Sequence, residues 1–201
     1  MGILSRFQGF HRADDRVNEE ILAHYGEPAY SLYTAAKLAS LHQQIDVMDD
    51  RDNTVYLTKS KVVSIRGKTD ILDAKGKLVA HIEKRPISLH EKHFVTMADG
   101  TAFTLSNELF HVVRDITNIE GLGWQLQGNV LGLRFLLLDA KGAPVAAIGQ
   151  KMISLHNRFS MDIYQPEFEQ TVVAIVIALE KMLAARREND SDLSIHGGSD
   201  E

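Results

Sequence analysis

Three copies of a Ser-Leu-His tripeptide are the first candidates for chemistry in this sequence of 201 residues. They lie at Ser40–His42, Ser88–His90 and Ser154–His156. In a strand, residues two apart share a face, so each Ser could hydrogen-bond its His as a nucleophile does its base. A catalytic pair also needs an orienting acid and oxyanion donors, and a tripeptide that recurs in register with hairpins is better explained by structure. We therefore expect no catalytic residue and no enzyme activity.

A metal site is the second candidate, because the chain has nine histidines and no cysteine. His90, His93 and His111 form the best histidine cluster. A metal needs three or four converging ligands with supporting hydrogen-bond partners, and a cluster of this kind does not supply them from its sequence alone. Solvated or hydrogen-bonded histidines at strand ends are the commoner explanation, so we expect no metal.

Gly121-Leu-Gly123 is a candidate for dinucleotide binding. It lacks the third glycine of that fingerprint, because Leu126 occupies the position, and it precedes a strand instead of opening a helix. We therefore expect a turn and no cofactor. Trp124, the only tryptophan, follows this turn. We expect it to anchor the core, the alternative being the wall of a ligand pocket in an enzyme or small-ligand carrier.

Recurring cations are the candidate for binding. Ser40, Ser64 and Ser88 are spaced 24 residues apart, and each follows a Lys or Arg by three residues. Equivalent positions in successive hairpins could line one rim of a barrel, where clustered cations could bind phosphate headgroups. The alternative is ordinary solvated charge that protects strand edges, diluted by neighbouring acids. The candidate headgroup-binding residues are Lys37, Lys59, Lys61, Lys84, Arg85 and Lys151.

Hairpins are the elements that would hold these cations. Asp73-Ala-Lys-Gly76 recurs 66 residues later as Asp139-Ala-Lys-Gly142, and Asp99-Gly100 marks another turn. About a dozen strand-length segments lie between such turns. A repeat this short contains two strands and two turns, and one hairpin cannot bury its apolar face alone, so successive hairpins must share one core.

One long apolar stretch, Val172–Leu179, follows the strands. Pro166 suits a helix start, acidic residues follow it, and basic residues close the far end, so we predict a helix over Glu167–Arg187. Its central turns are apolar on every side, which indicates complete burial. A strand or a membrane span is the alternative, but Glu180 and Lys181 interrupt the run well short of the about 20 apolar residues that a span needs.

A dozen strands followed by an apolar helix predict a mainly β fold. We expect a closed antiparallel barrel of about twelve strands around a buried C-terminal helix, the alternative being an open sheet or two-layer sandwich. A short helix with Asp14 or Asp15 as its N-cap should end at Gly26. The predicted divisions are an N-terminal extension at 1–29, the barrel domain at 30–187 and a disordered acidic tail at 188–201.

The net charge of −5 comes from the tail, which has five acidic residues and leaves 22 acidic and 22 basic residues in the remainder. A neutral folded part argues against a nucleic-acid partner. We find no signal peptide and no transmembrane segment in the sequence, so we expect a cytoplasmic protein with peripheral contact at a membrane. The expected partner is an anionic lipid headgroup or an unidentified protein.

Several phrases, in this order, resemble one known family. They are "KLASLHQQIDVMDDRDN", "KVVSIRGKTDILDAKGKLVAHIEK", the link Ile119–Trp124 with Gln127-Gly128 after it, "KMISLHNRFSMDI" and "VVAIVIALEKM". Together they resemble the LURP-one-related family across residues 31–185. That family belongs to the Tubby C-terminal-like superfamily, alongside the phospholipid scramblases. The resemblance implies a twelve-stranded barrel with a buried C-terminal helix.

The resemblance implies less about function. LURP-one-related members are mostly of unassigned role, with plant representatives connected to defence. Related Tubby domains bind phosphoinositides, and scramblases act at membranes. No lipid-binding motif of those relatives maps onto this sequence residue by residue, so the resemblance implies no site residues. We expect a non-enzymatic binding or scaffold module.

Overall fold

The computed structural model describes residues 24–36, 44–61, 67–87, 90–106, 116–129, 134–153 and 156–196. In these ranges the chain forms twelve strands, a 3-10 turn at Pro166–Phe168 and one long helix, α1, at Glu169–His196. The strands are β1 Tyr30–Ala36, β2 Ile45–Met48, β3 Thr54–Lys61, β4 Lys68–Asp73, β5 Leu78–Ile87, β6 His90–Met97, β7 Ala102–Ser106, β8 Ile116–Asn118, β9 Gln125–Asn129, β10 Arg134–Leu138, β11 Pro144–Ile153 and β12 His156–Ile163.

All twelve strands belong to one antiparallel sheet, in the order β7-β6-β5-β4-β3-β2-β1-β12-β11-β10-β9-β8. Neighbours in the chain are neighbours in the sheet, except that β7 and β8 form its two edges and β1 pairs with β12 in its middle. The prediction of a mainly β fold with one C-terminal helix is therefore confirmed.

The predicted closure of the sheet into a barrel is not established by this structure. The edge strands β7 and β8 share no ladder in the described ranges, and these edges touch through one bridge, between Thr104 and Glu120. There the Thr104 amide donates to the Glu120 carbonyl oxygen across 2.9 Å. This bridge lies beyond the described end of β8, because Glu120 follows Asn118 in the chain.

The turns at one end of the sheet are fixed by aspartates. Asp73 accepts hydrogen bonds from the amides of Lys75 and Lys77, both at 2.9 Å. The same arrangement recurs in the turns that contain Asp49, Asp99 and Asp139. The predicted Asp-Gly turns are thus confirmed, and we call this end of the sheet the turn end.

The helix α1 lies against the inner face of the sheet. Every residue from Val172 to Leu179 is at most 1% exposed, and these residues share one apolar cluster with inward-facing strand residues. Burial on all sides explains why the segment is apolar on all sides. The predicted buried helix is confirmed, and none of the described helices is long and apolar enough to cross a membrane.

The start of α1 is attached to the sheet at the turn end. Glu169 accepts hydrogen bonds from the hydroxyl groups of Tyr30 on β1 and Tyr56 on β3. Trp124 is 6% exposed and meets the Phe168 ring edge-on, with 5.1 Å between ring centroids. Trp124 therefore anchors the core beside the helix start, as the sequence predicted.

One predicted boundary was wrong. The helix continues past Arg187 to His196, so residues 188–196, predicted to be disordered, have helical backbone. No Gly or Pro stands between Arg187 and Gly197 to end the helix earlier.

The predicted N-terminal helix lies mostly outside the described residues. His24 and Tyr25 are helical, and Gly26 has a φ of +78°, as expected for the residue that ends a helix.

Candidate functional site

The strand order places the recurring cations at a common end of the sheet. In an antiparallel sheet of this order, β1, β3, β5 and β11 all finish at the end opposite the turn end. Lys59 and Lys61 lie in the last residues of β3, Lys84 and Arg85 near the end of β5, and Lys151 near the end of β11. We call this the basic end. Lys37, which follows β1, lies outside the described residues.

Two of the candidate headgroup-binding residues, Lys84 and Arg85, are adjacent on β5 and lie on different faces of the sheet. Lys84 pairs in register with His93, which is 3% exposed and lies on the inner face. Arg85, the next residue, lies on the outer face, where 49% of its side chain is exposed. Lys59 is also exposed. Lys84 and Arg85 therefore lie on opposite faces of the sheet, because adjacent strand residues point to opposite faces.

Arg85 is held by two neighbours on the outer face. Its guanidinium donates to Glu83 across 3.1 Å and lies 4.8 Å from the centre of the Phe94 ring. These side chains border a concavity of about 310 Å³ that extends to Thr104 and Glu120. Because acids and bases alternate around it, this concavity is not itself a basic patch.

Two further pairs on the outer face were not found from the sequence. Asp70 on β4 and His81 on β5 are opposite in register, with 2.6 Å between Oδ1 and Nδ1. The Nζ of Lys92 lies 3.7 Å from a carboxylate oxygen of Glu120. The first pair depends on strand register and the second on the contact between the two edges of the sheet, and the spacing of residues along the chain shows neither. Within the ranges given above, no three His, Asp or Glu residues are placed to bind a metal.

A half-buried polar pair on α1 contacts the inner face of the sheet. Glu180 accepts a hydrogen bond from the Thr34 hydroxyl at 2.8 Å, while its Oε2 is out of contact with water and has no hydrogen-bond partner. Lys181 donates to the Ser60 hydroxyl at 3.0 Å, and Ser60 lies 3.1 Å from Thr69. Burial raises the pKa of Glu180 to about 7 and lowers that of Lys181.

The LURP-one-related family model matches residues 30–180, which is most of the chain and includes all twelve strands. This chain belongs to the LURP-one-related family. The match ends inside α1, at the buried Glu180.

The LURP-one-related chain is also similar to one solved structure, an X-ray structure of a protein from Arabidopsis thaliana. The two are 14% identical, the similarity covers 78% of this chain and 95% of the other, and the TM-score is 0.42. No curated protein matches the sequence.

The remaining sequence candidates have different outcomes in this LURP-one-related protein. Ser40, His42, Ser88 and Ser154 lie outside the described residues, as does His111. His90 and His156 are described only as strand backbone, each at the start of its strand.

The Gly121 turn is confirmed and joins β8 to β9. A Cβ at Gly121 would lie 2.7 Å from the Ala102 carbonyl oxygen. The glycine thus lets this turn approach β7 closely, next to the bridge between the two edges of the sheet.

Proposed function

We propose that this LURP-one-related protein is a non-enzymatic binding module whose basic end contacts anionic phospholipid headgroups. The observation that carries the proposal is the convergence of cations from separate repeats, on β3, β5 and β11, at one end of one sheet. A basic residue near an anionic membrane surface contributes about 1 kcal/mol of attraction, so a few such residues suffice for reversible binding.

The distribution of charge supports a defined orientation on a membrane. Asp49, Asp73, Asp99 and Asp139 are committed to the turns at the opposite end. Hydrogen bonds from the Asn53 side chain and from backbone amides lower the pKa of Asp49, and hydrogen bonds from backbone amides lower the pKa of Asp99 and of Asp139. The carboxylates of Asp49, Asp99 and Asp139 stay ionised, and an anionic membrane repels them. The turn end would therefore face away from the surface, and the basic end toward it.

The proposal that the protein is not an enzyme is supported by the side chains that fill its interior. The helix occupies the inner face of the sheet, and Trp124 packs against Phe168. We further propose that the sheet closes through the contact of β7 with Glu120, giving the barrel of the Tubby C-terminal-like superfamily. We also propose that the protein is cytoplasmic and contacts the membrane only peripherally, through the basic end.

Vesicle flotation tests the proposal. The protein is mixed with neutral vesicles or with vesicles that contain anionic lipid, at low and at high salt. We expect flotation with anionic vesicles only, weakened by salt because screening shortens the range of the attraction. Changing Lys61 and Arg85 to Glu should abolish it. The matched control changes Lys75 and Lys141 to Glu, which alters the net charge equally at the turn end and should leave flotation almost unchanged.

Two results would reject the lipid proposal. One is the absence of salt-sensitive flotation with anionic vesicles. The other is equal loss of flotation in the Lys61/Arg85 variant and in its turn-end control, since only net charge would then matter. Recovery of a single protein in stoichiometric amount by the basic end, without lipid, would favour a protein partner instead.

A further inference from the structure

The register of the sheet places cations directly opposite cations at the basic end. On β3 and β4 the opposite residues are Lys61 and Lys68. On β5 and β6 they are Arg85 and Lys92, and on β11 and β12 they are Lys151 and Arg158. We call these three the cation pairs. In each of them the two members are seven residues apart and lie on either side of a hairpin at the basic end.

Such pairs are unfavourable unless something anionic accompanies them. Directly opposite residues of an antiparallel ladder have Cβ atoms about 5 Å apart, and like charges at that distance destabilise the sheet. The arrangement nevertheless occurs in three hairpins, and the pair on β11 and β12 repeats the pair on β5 and β6 at a distance of 66 residues. A local accident would not recur in equivalent places.

Neighbouring acids offset this repulsion only in part. Arg85 is bound to Glu83, and Lys92 lies 3.7 Å from Glu120, whose side chain is 74% exposed. Lys68 has Glu83 opposite it on the next strand. One carboxylate, Glu83, thus lies beside both Lys68 and Arg85.

We infer that each cation pair binds one phosphomonoester group of a membrane lipid, with the phosphate held between the two cations. This inference rests on the proposed function and specifies its ligand chemistry. A phosphomonoester has a charge of about −1.5 to −2 near neutral pH, which matches two cations. A phosphodiester headgroup has a single negative charge on its phosphate and leaves one cation of the pair uncompensated.

Vesicle binding at matched surface potential tests the inference. One set of vesicles contains phosphatidic acid, a phosphomonoester, and the other contains phosphatidylglycerol, a phosphodiester, in amounts adjusted to the same zeta potential. We expect the wild-type protein to bind the first set at least about fivefold more tightly, the effect of one additional cation near the surface.

A pair-breaking variant and a matched control identify the residues. Lys68→Gln, Lys92→Gln and Arg158→Gln together remove one member of each pair. Lys75→Gln, Lys77→Gln and Lys141→Gln together remove the same charge and leave every pair intact, since all three residues are exposed and lie in turns at the turn end. We expect the preference for phosphatidic acid to disappear in the first variant and to persist in the second. If the first variant fails to fold, Lys68→Gln is compared with Lys75→Gln.

The outcomes separate the inference from the proposed function. Equal affinity of the wild type for both vesicle sets would overturn the inference and leave general anionic binding in place. Loss of the preference in both triple variants would also overturn it, because net charge would explain the result. Failure of the wild type to bind either set would overturn the inference together with the proposed function.

Discussion

Thr34 on β1 donates its hydroxyl hydrogen to Glu180 on α1 across 2.8 Å, although the two residues are 146 positions apart in the chain. Thr34 also accepts a hydrogen bond from the Phe159 amide at 3.2 Å, so its side chain joins β1, β12 and the helix. The carboxylate that it contacts keeps one buried oxygen without a partner. A buried polar group of this kind is costly in its charged form.

Glu180 should make stability depend on pH. Its pKa is raised by burial from 4.5 to about 7, so its contribution to stability is complete below pH 4.5 and is lost as the pH rises through 7. We expect the free energy of unfolding to fall by on the order of 2 kcal/mol between about pH 5 and about pH 8. Glu180→Gln should remove most of that slope. Urea denaturation at both pH values measures it.

A matched variant serves as the control for this prediction. Glu27→Gln removes an exposed acid and should leave the slope unchanged. Lys181 acts in the opposite direction, because its lowered pKa costs stability as the pH falls through the folded-state value. An identical slope in the wild type and in Glu180→Gln would show that the buried carboxyl does not titrate in this range.

Ile177→Ala should be strongly destabilising. Ile177 has no exposed surface and lies at the centre of the apolar cluster, so truncation leaves a cavity that the surrounding strands cannot fill. We expect a loss of about 2–5 kcal/mol in the free energy of unfolding. Leu78→Ala is the control, because Leu78 is 44% exposed and should cost far less. Comparable losses for the two would contradict the placement of α1.

Gly121→Ala should destabilise the contact between β7 and the turn after β8. Gly121 has a φ of +98°, and a Cβ there would lie 2.7 Å from the Ala102 carbonyl oxygen. Gly76 has a φ of +80° with nothing within 4 Å of the same added atom. Gly76→Ala therefore measures the backbone cost alone, about 1 kcal/mol. Thermal denaturation should show a clearly larger loss of stability for Gly121→Ala than for Gly76→Ala. Equal losses would exclude a close contact between Gly121 and β7.

Tyr56→Phe should loosen the start of α1. Tyr56 is 5% exposed and its hydroxyl donates to Glu169, so the substitution leaves one carboxylate oxygen without its donor. The expected loss is about 1–3 kcal/mol. Burial and Glu169 also raise the pKa of Tyr56, which should show as an absence of tyrosinate absorbance from this residue near its usual range.

Tyr164→Phe is the control for this change, because Tyr164 packs on the outer face against the small cluster of Leu136, Leu138 and Ala147. A loss at Tyr164 as large as that at Tyr56 would mean that the Glu169 contact contributes nothing specific.

The repeat and the apolar run were enough to predict the sheet and its helix, because both depend on local patterns. Asp73 and Asp139 mark turns by their own chemistry, and Val172–Leu179 is apolar all round. Closure depends on contact between distant edges, which no local pattern determines. The end of α1 was misjudged since composition suggested disorder where no residue breaks the helix.

The candidate site was predictable only in part for the same reason. Spacing placed cations in equivalent hairpins, but it did not show that Lys84 faces inward while Arg85 faces outward. Nor did it show Lys68 opposite Lys61, because that pairing depends on register. The contacts of Glu180 and Lys181 join the helix to strands more than 100 residues earlier in the chain.

The pairing of β1 with β12 has a consequence for biosynthesis. Tyr30 on β1 and Ile163 on β12 are neighbours in the sheet, so β1 can pair with β12 only after residue 163 has been synthesised. The helix that covers the inner face is synthesised later still. Native structure therefore cannot be completed cotranslationally from the N-terminus, as it can in proteins whose early segments fold alone. Nascent chains stalled before residue 163 should remain sensitive to protease and bound to chaperones.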